Sequence, residues 1–101
     1  MKITRKQDGD NVTLTLNGRF DFSAHRDFRT SYEDALKITG IKKITLDMAA
    51  VNYLDSSALG MLLLLNERAR NSSAEVNITR CSTGVMKILD IANFSKIIKI
   101  T

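Results

Sequence analysis

The residues best suited to chemistry stand together in the stretch LDSSALGMLLLL (residues 54–65), where a carboxylate, Asp55, precedes two hydroxyls, Ser56 and Ser57. A serine becomes a nucleophile when a base stands beside it. The sole histidine, His25, falls in the first turn of a helical segment among polar neighbours and reads as a solvated surface residue. The serines also lack the G-x-S-x-G elbow that exposes a nucleophile on a strained turn. One cysteine, Cys81, and one histidine cannot make a usual zinc site. DGD at 8–10 is too short for a calcium loop and reads as a turn, and no phosphate-cradling glycine loop is present. These observations imply a binding module rather than an enzyme, with no catalytic residue, no metal and no cofactor.

Such a module needs elements to present its polar cluster. The runs KITRKQ and VTLTLNG around DGDN predict a β-hairpin, with Val12, Leu14 and Leu16 alternating against threonines. From Ser23, a plausible N-cap, the apolar positions Ala24, Phe28, Tyr32, Ala35 and Leu36 recur at helical spacing until Gly40. A strand follows, with Ile44, Leu46 and Met48 inward, continuing through AAVNYLD to the polar cluster. The helix that starts near Ser56 runs to about Arg70. Then come a strand (EVNITRC), a short helix with Val85, Ile88, Leu89 and Ala92 on its apolar face, and a last strand (KIIKI). The order β-β-α-β-α-β-α-β predicts a mixed, mostly parallel sheet covered by helices in one domain, 1–101.

Composition agrees with one globular domain: 101 residues, 44% hydrophobic and 26% charged. The apolar run Ala58–Leu65 is far shorter than the roughly 20 residues that span a bilayer, and MKITRKQDGD lacks the apolar stretch of a secretory signal. A cytoplasmic protein with no membrane partner is the expectation. The net charge of +4 invites a nucleic-acid reading, but the basic residues are scattered without a stripe or block, so no nucleic-acid partner is expected.

If Asp55 or Ser56 caps the helix, Ser57 lies in its first turn, where amides are unpaired and the helix dipole is positive. The plain reading is that all three residues are caps. A helical wheel adds a second. Ala58, Leu59, Leu62, Leu63, Leu65 and Ala69 form an arc for the sheet, while Ser57, Gly60, Glu67 and Arg68 lie opposite, with Met61 and Leu64 among them. That outer arc is a small apolar depression with a hydroxyl at its rim. A phosphate on the hydroxyl would add roughly −1.5 to −2 charges at a helix end that tolerates an anion, but would repel a partner packed there.

The segments LTLNGRFD, KKITLDM, VNYLDSSALGMLLLL and VMKILDIANFSKIIKI resemble, over nearly the whole chain, the STAS domain of bacterial anti-sigma-factor antagonists. The resemblance implies a single STAS domain of α/β class and a switch. In that family the unphosphorylated form binds an anti-sigma factor and frees a sigma factor. The anti-sigma factor, acting as a serine kinase, phosphorylates the motif, and a serine phosphatase reverses the modification. The matching phosphoacceptor is Ser57, with Ser56 as the fallback; Asp21, Asp55, Ser56 and Gly60 match partner-contact positions, to which the wheel adds Met61 and Leu64. Two departures stand out: Ala58 where many members have glycine, and Ala92–Phe94 where they carry an SGL-like turn. The same fold also serves as a stand-alone subunit docking on the ATPase of lipid-transport ABC systems, which is the alternative reading, with a nucleic-acid-binding module behind it.

Overall fold

The computed structural model describes residues 1–101. Its elements are β1 (Lys2–Asp8), β2 (Asn11–Phe20), α1 (His25–Leu36), β3 (Lys43–Leu54), α2 (Ser56–Asn71), β4 (Glu75–Thr79), α3 (Thr83–Ile91) and β5 (Lys99–Ile100), with 3-10 turns at Phe22–Ala24 and Phe94–Lys96. The strands form one sheet in sequential order, β1 antiparallel to β2 and the remaining pairs parallel. This is the expected element order. Gly9, at φ 63°, makes the tight turn of the opening hairpin, where a Cβ would be strained.

Alternation along the strands decides which face of the sheet is covered. Val12 registers with Ile44 and Ile44 with Val76; Leu14 registers with Leu46 and Leu46 with Ile78. All six side chains are buried. Right-handed crossovers that always step in the same direction place α1, α2 and α3 on this apolar face. The other parity gives a cross-sheet row of Lys6, Thr13, Thr45, Asn77 and Lys99, a polar face without a helix. Beneath the helices a single cluster of 26 buried residues joins β2, β3 and β4 to the three helices, and Ile3 of β1 and Ile100 of β5 pack against it. At one end of it Phe28 packs on Phe20 with ring centroids 4.9 Å apart, and on Tyr32 at 5.4 Å.

β3 departs from simple alternation. Thr15 registers with Asp47 but Asn17 with Ala50, and Gly18 with Val51 but Arg19 with Tyr53. On each occasion β3 spends one residue more than β2, the signature of a β-bulge. Its buried positions consequently fall three apart, at Met48, Val51 and Leu54.

Two local expectations need correction. Ser23 does not cap α1. Asp21 is the cap, of the 3-10 turn before it, accepting from the Ser23 amide at 3.0 Å and from the Ser23 hydroxyl, while α1 starts at His25 without a side-chain cap. The carboxylate two residues upstream outcompetes the serine, whose hydroxyl is used as a donor. The last strand is also shorter than KIIKI implies: the turn at Phe94–Lys96 leaves Ile97 49% exposed, and only Lys99–Ile100 pair with β4. The turn after α3, by contrast, explains one departure from the family pattern. Asn93 sits at φ 57°, the left-handed position for which a glycine is the usual choice and asparagine the common substitute.

No helix is long and apolar enough to cross a membrane.

Candidate protein-docking site

The polar cluster is positioned by the ends of two neighbouring strands. Phe20 registers with Leu54 where β2 and β3 end, and the Asp55 amide donates to the Phe20 carbonyl at 3.3 Å. The chain beyond β2, with Asp21, therefore leaves the sheet beside the entrance to α2. Asp55 has extended backbone angles and its Oδ1 accepts from the Ala58 amide at 2.9 Å, so Asp55, not Ser56, is the N-cap of α2. The amides of Ser56 and Ser57, at the first two helical positions, have no acceptor within the helix.

Asp21 is fixed more firmly than its place in a loop suggests. The Ser23 hydroxyl and then the Ser23 amide that donate to it, followed by the Arg19 guanidinium 3.6 Å away, hold its carboxyl below the usual carboxylate range. Arg19 in turn lies over the Tyr53 ring, 4.1 Å from its centroid. Arg19 and Tyr53 register with each other at the last bulge. Sequence reasoning missed both, because their meeting depends on the extra residue in β3 and not on any motif.

Along α2 the structure separates the candidate residues. Ser56, Gly60 and Leu64 are exposed and Ser57 is half-buried. Met61 is 5% exposed and belongs to the core, so its assignment to the docking surface is wrong. Leu63, assigned to the sheet side, is 41% exposed. Both errors have one cause. The wheel took the sheet as the only neighbour of α2, whereas α1 lies along its flank, with Arg68 of α2 donating to Glu33 of α1 at 2.9 Å. This second neighbour turns the buried arc toward α1, covering Met61 and releasing Leu63. At 100° per residue Ser57, Leu64 and Arg68 then lie in one stripe along the α1 side of the exposed face, with Gly60 next to it.

The bare Cα of Gly60 is not required by packing, since a Cβ built there meets nothing within 4 Å. Gly60→Ala is expected to stabilise the domain by about 0.5–1 kcal/mol through helix propensity. A rise of roughly 3–6 °C in Tm follows for a domain of this size. Thermal unfolding followed by circular dichroism checks it; a fall in Tm would mean that the glycine serves the fold and not the surface.

The fold and the exposed face at the head of α2 define the class of protein. The chain belongs to the STAS domain family, whose sequence profile matches residues 2–101. It is 47% identical over 94 residues to a STAS-domain containing protein of Pseudomonas aeruginosa, covering 93% of this chain and 91% of the relative. Among solved structures, an anti-sigma factor antagonist from Mycobacterium paratuberculosis superposes with a TM-score of 0.85 at 11% identity, over 98% of this chain and 83% of that one. SpoIIAA, the Bacillus anti-sigma factor antagonist, superposes with a TM-score of 0.75 at 15% identity in its unphosphorylated form, over 99% of this chain and 87% of that one. Its phosphorylated form gives the same TM-score, over 99% and 91%. A sulfate transporter family protein from Wolinella succinogenes also matches, with a TM-score of 0.75 at 17% identity, over 86% of this chain and 70% of that one. At such identities the structural likeness speaks for the fold.

Proposed function

We propose that this protein is an anti-sigma-factor antagonist: unphosphorylated, it binds an anti-sigma factor through the exposed head of α2 and so frees a sigma factor, and phosphorylation of Ser57 ends the binding. The observation that carries the reading is the placement of Ser57. It is half-buried in the first turn of α2, in one stripe with exposed Leu64, one turn from bare Gly60 and two residues after the capping carboxylate Asp55. A phosphate there meets the unpaired amides and positive pole of the helix, so the domain survives it. A partner seated on the same stripe would have to bury a near-dianion next to Asp55, which costs far more than a neutral contact returns.

In this reading Asp21, Asp55, Ser56, Gly60 and Leu64 contact the partner, and Ser57 is both a contact and the phosphoacceptor. The anti-sigma factor or a separate kinase supplies the phosphate, and a serine phosphatase removes it. The fold's occurrence in SpoIIAA, solved both with and without phosphate, supports the assignment. To test it, the protein is incubated with ATP and each candidate anti-sigma factor of its own genome, and the phosphate is mapped by mass spectrometry. Label on Ser57 that Ser57→Ala abolishes is the expected result; no label with any candidate, or label retained in Ser57→Ala, counts against the assignment.

A further inference from the structure

Between α1 and α2 runs a groove of about 190 Å³, lined by His25, Arg29, Tyr32, Leu64 and Arg68. Its apolar part comes from Leu64, 50% exposed, and from Tyr32 beneath. At its head Phe22, 72% exposed, stacks on His25 with ring centroids 6.0 Å apart, extending the apolar rim toward the end of β2. Arg29 and Arg68 form the polar wall. Arg29 donates through Nε and Arg68 through Nη1, and both converge on the same oxygen, Oε1 of Glu33, at 3.1 and 2.9 Å.

One carboxylate therefore answers two guanidinium groups, and this wall keeps a surplus positive charge. Both arginine side chains remain more than half exposed, 59% and 51%. Each has further N–H donors beyond the single one it gives to Glu33; Arg29 keeps both terminal nitrogens, the fork that matches a carboxylate. Beside Phe22, Arg26 and Asp27 add one charge of each sign and leave the balance unchanged. An apolar floor next to an under-neutralised pair of arginines selects against a basic or purely polar occupant. It matches a segment that carries an apolar side chain at one position and an anionic one about one helical turn away. The groove is also continuous with the head of α2, because Leu64 and Arg68 share the stripe that begins at Ser57.

We propose that this groove seats a segment of a partner protein that places an apolar side chain against Leu64 and Tyr32 and a carboxylate on Arg29 and Arg68. The proposal rests on the reading that α2 presents a protein-docking face, and it names the chemistry of the occupant rather than its identity. The groove recognises the partner, and Ser57 at its head decides whether the partner stays.

The probe is a synthetic Ala-rich helical peptide of about 16 residues, long enough to hold a helix. It carries Leu and Glu at i, i+4 spacing on one face and is compared with an analogue in which Lys replaces every Glu. Affinities come from fluorescence anisotropy with the full chain, and the contact is mapped by amide and methyl NMR shifts. The Glu peptide is expected to bind at least about tenfold tighter than the Lys peptide at low ionic strength, with discrimination shrinking as salt rises. Shifts are expected to cluster on His25, Arg29, Leu64 and Arg68. Arg29→Gln with Arg68→Gln should bring the two peptides to within about twofold, and Leu64→Ala should weaken both. Equal affinity of the two peptides, shifts centred elsewhere, or no binding at millimolar peptide would overturn the proposal.

Peptide titration and phosphate mapping, each on the full chain, separate this proposal from the reading on which it rests. Peptide discrimination without phosphorylation of Ser57 supports the groove and refutes the switch. Phosphorylation without peptide discrimination does the reverse.

Discussion

Ser57→Asp is expected to weaken binding to the proposed anti-sigma-factor partner roughly 30- to 1,000-fold, the 2–4 kcal/mol that an unpaired charge costs when a buried contact closes over it. The same change should leave Tm within about 2 °C. At the second position of α2 a carboxylate interacts favourably with the helix dipole by about 0.3–1 kcal/mol, and repulsion from Asp55 offsets part of that gain. Few substitutions separate function from stability so sharply, because the charge is tolerable in water and intolerable under a partner. Ser56→Asp is the control. Ser56 is exposed whereas Ser57 is half-buried, so the same charge stands farther from the stripe that carries Leu64, and a loss of less than tenfold is expected. Isothermal titration of both variants against the anti-sigma factor that phosphorylates the wild type measures the contrast. Unchanged affinity of Ser57→Asp would place the partner elsewhere on the domain.

Phe28→Ala should have the largest effect on the fold. Its ring is fully buried between Phe20 and Tyr32, where α1 meets the sheet. Removing it forfeits the transfer of the ring from water and leaves a cavity that surrounding side chains fill only in part, together about 3–5 kcal/mol. Against a total stability of about 5–15 kcal/mol for a domain of this kind, that is a substantial fraction. A fall of roughly 12–25 °C in Tm follows. Phe22→Ala, six positions earlier, changes the same residue type at a side chain 72% exposed and should alter stability by less than about 0.5 kcal/mol. Urea titrations of the two variants give both numbers, and a similar loss in each would show that burial is not what distinguishes them.

The residues differ in how much of their structural role can be read from the chain. Val12, Leu14 and Leu16 alternate in a strand with one covered face, so their burial follows from period two alone. Asp55 and Ser56 before an apolar helical run both suit a cap by composition, and the helix they open was readable to within a residue or two, while the choice between them needed the Asp55 contact with the Ala58 amide. Met61 and Leu63 were not, because a wheel gives the angle between residues but not the direction of the second neighbour, and only the contact with α1 supplies that. Ile97 and Ile98 look alike in KIIKI, yet a short turn before them sends one to solvent and the other to the core. Arg29 and Glu33 could be paired at i, i+4 from spacing, whereas Arg68 reaching the same carboxylate depends on how two helices lie together. The docking face was thus legible where one helix determines it and illegible where two elements share it.

The three-residue spacing of burial in β3 has a bearing on how lineages of this domain can diverge. Between Met48 and Asp55 the backbone works as a counted ruler: deleting one residue would drop a bulge, turn Leu54 out of the core and rotate the start of α2 by about 100° about its axis. Substitutions at the outward positions Ala49, Ala50 and Asn52 leave the count alone. Related chains should therefore vary in letters but hold their length through this segment. Insertions should collect instead at the Gly9 turn and after α2, where no downstream side chain depends on the tally.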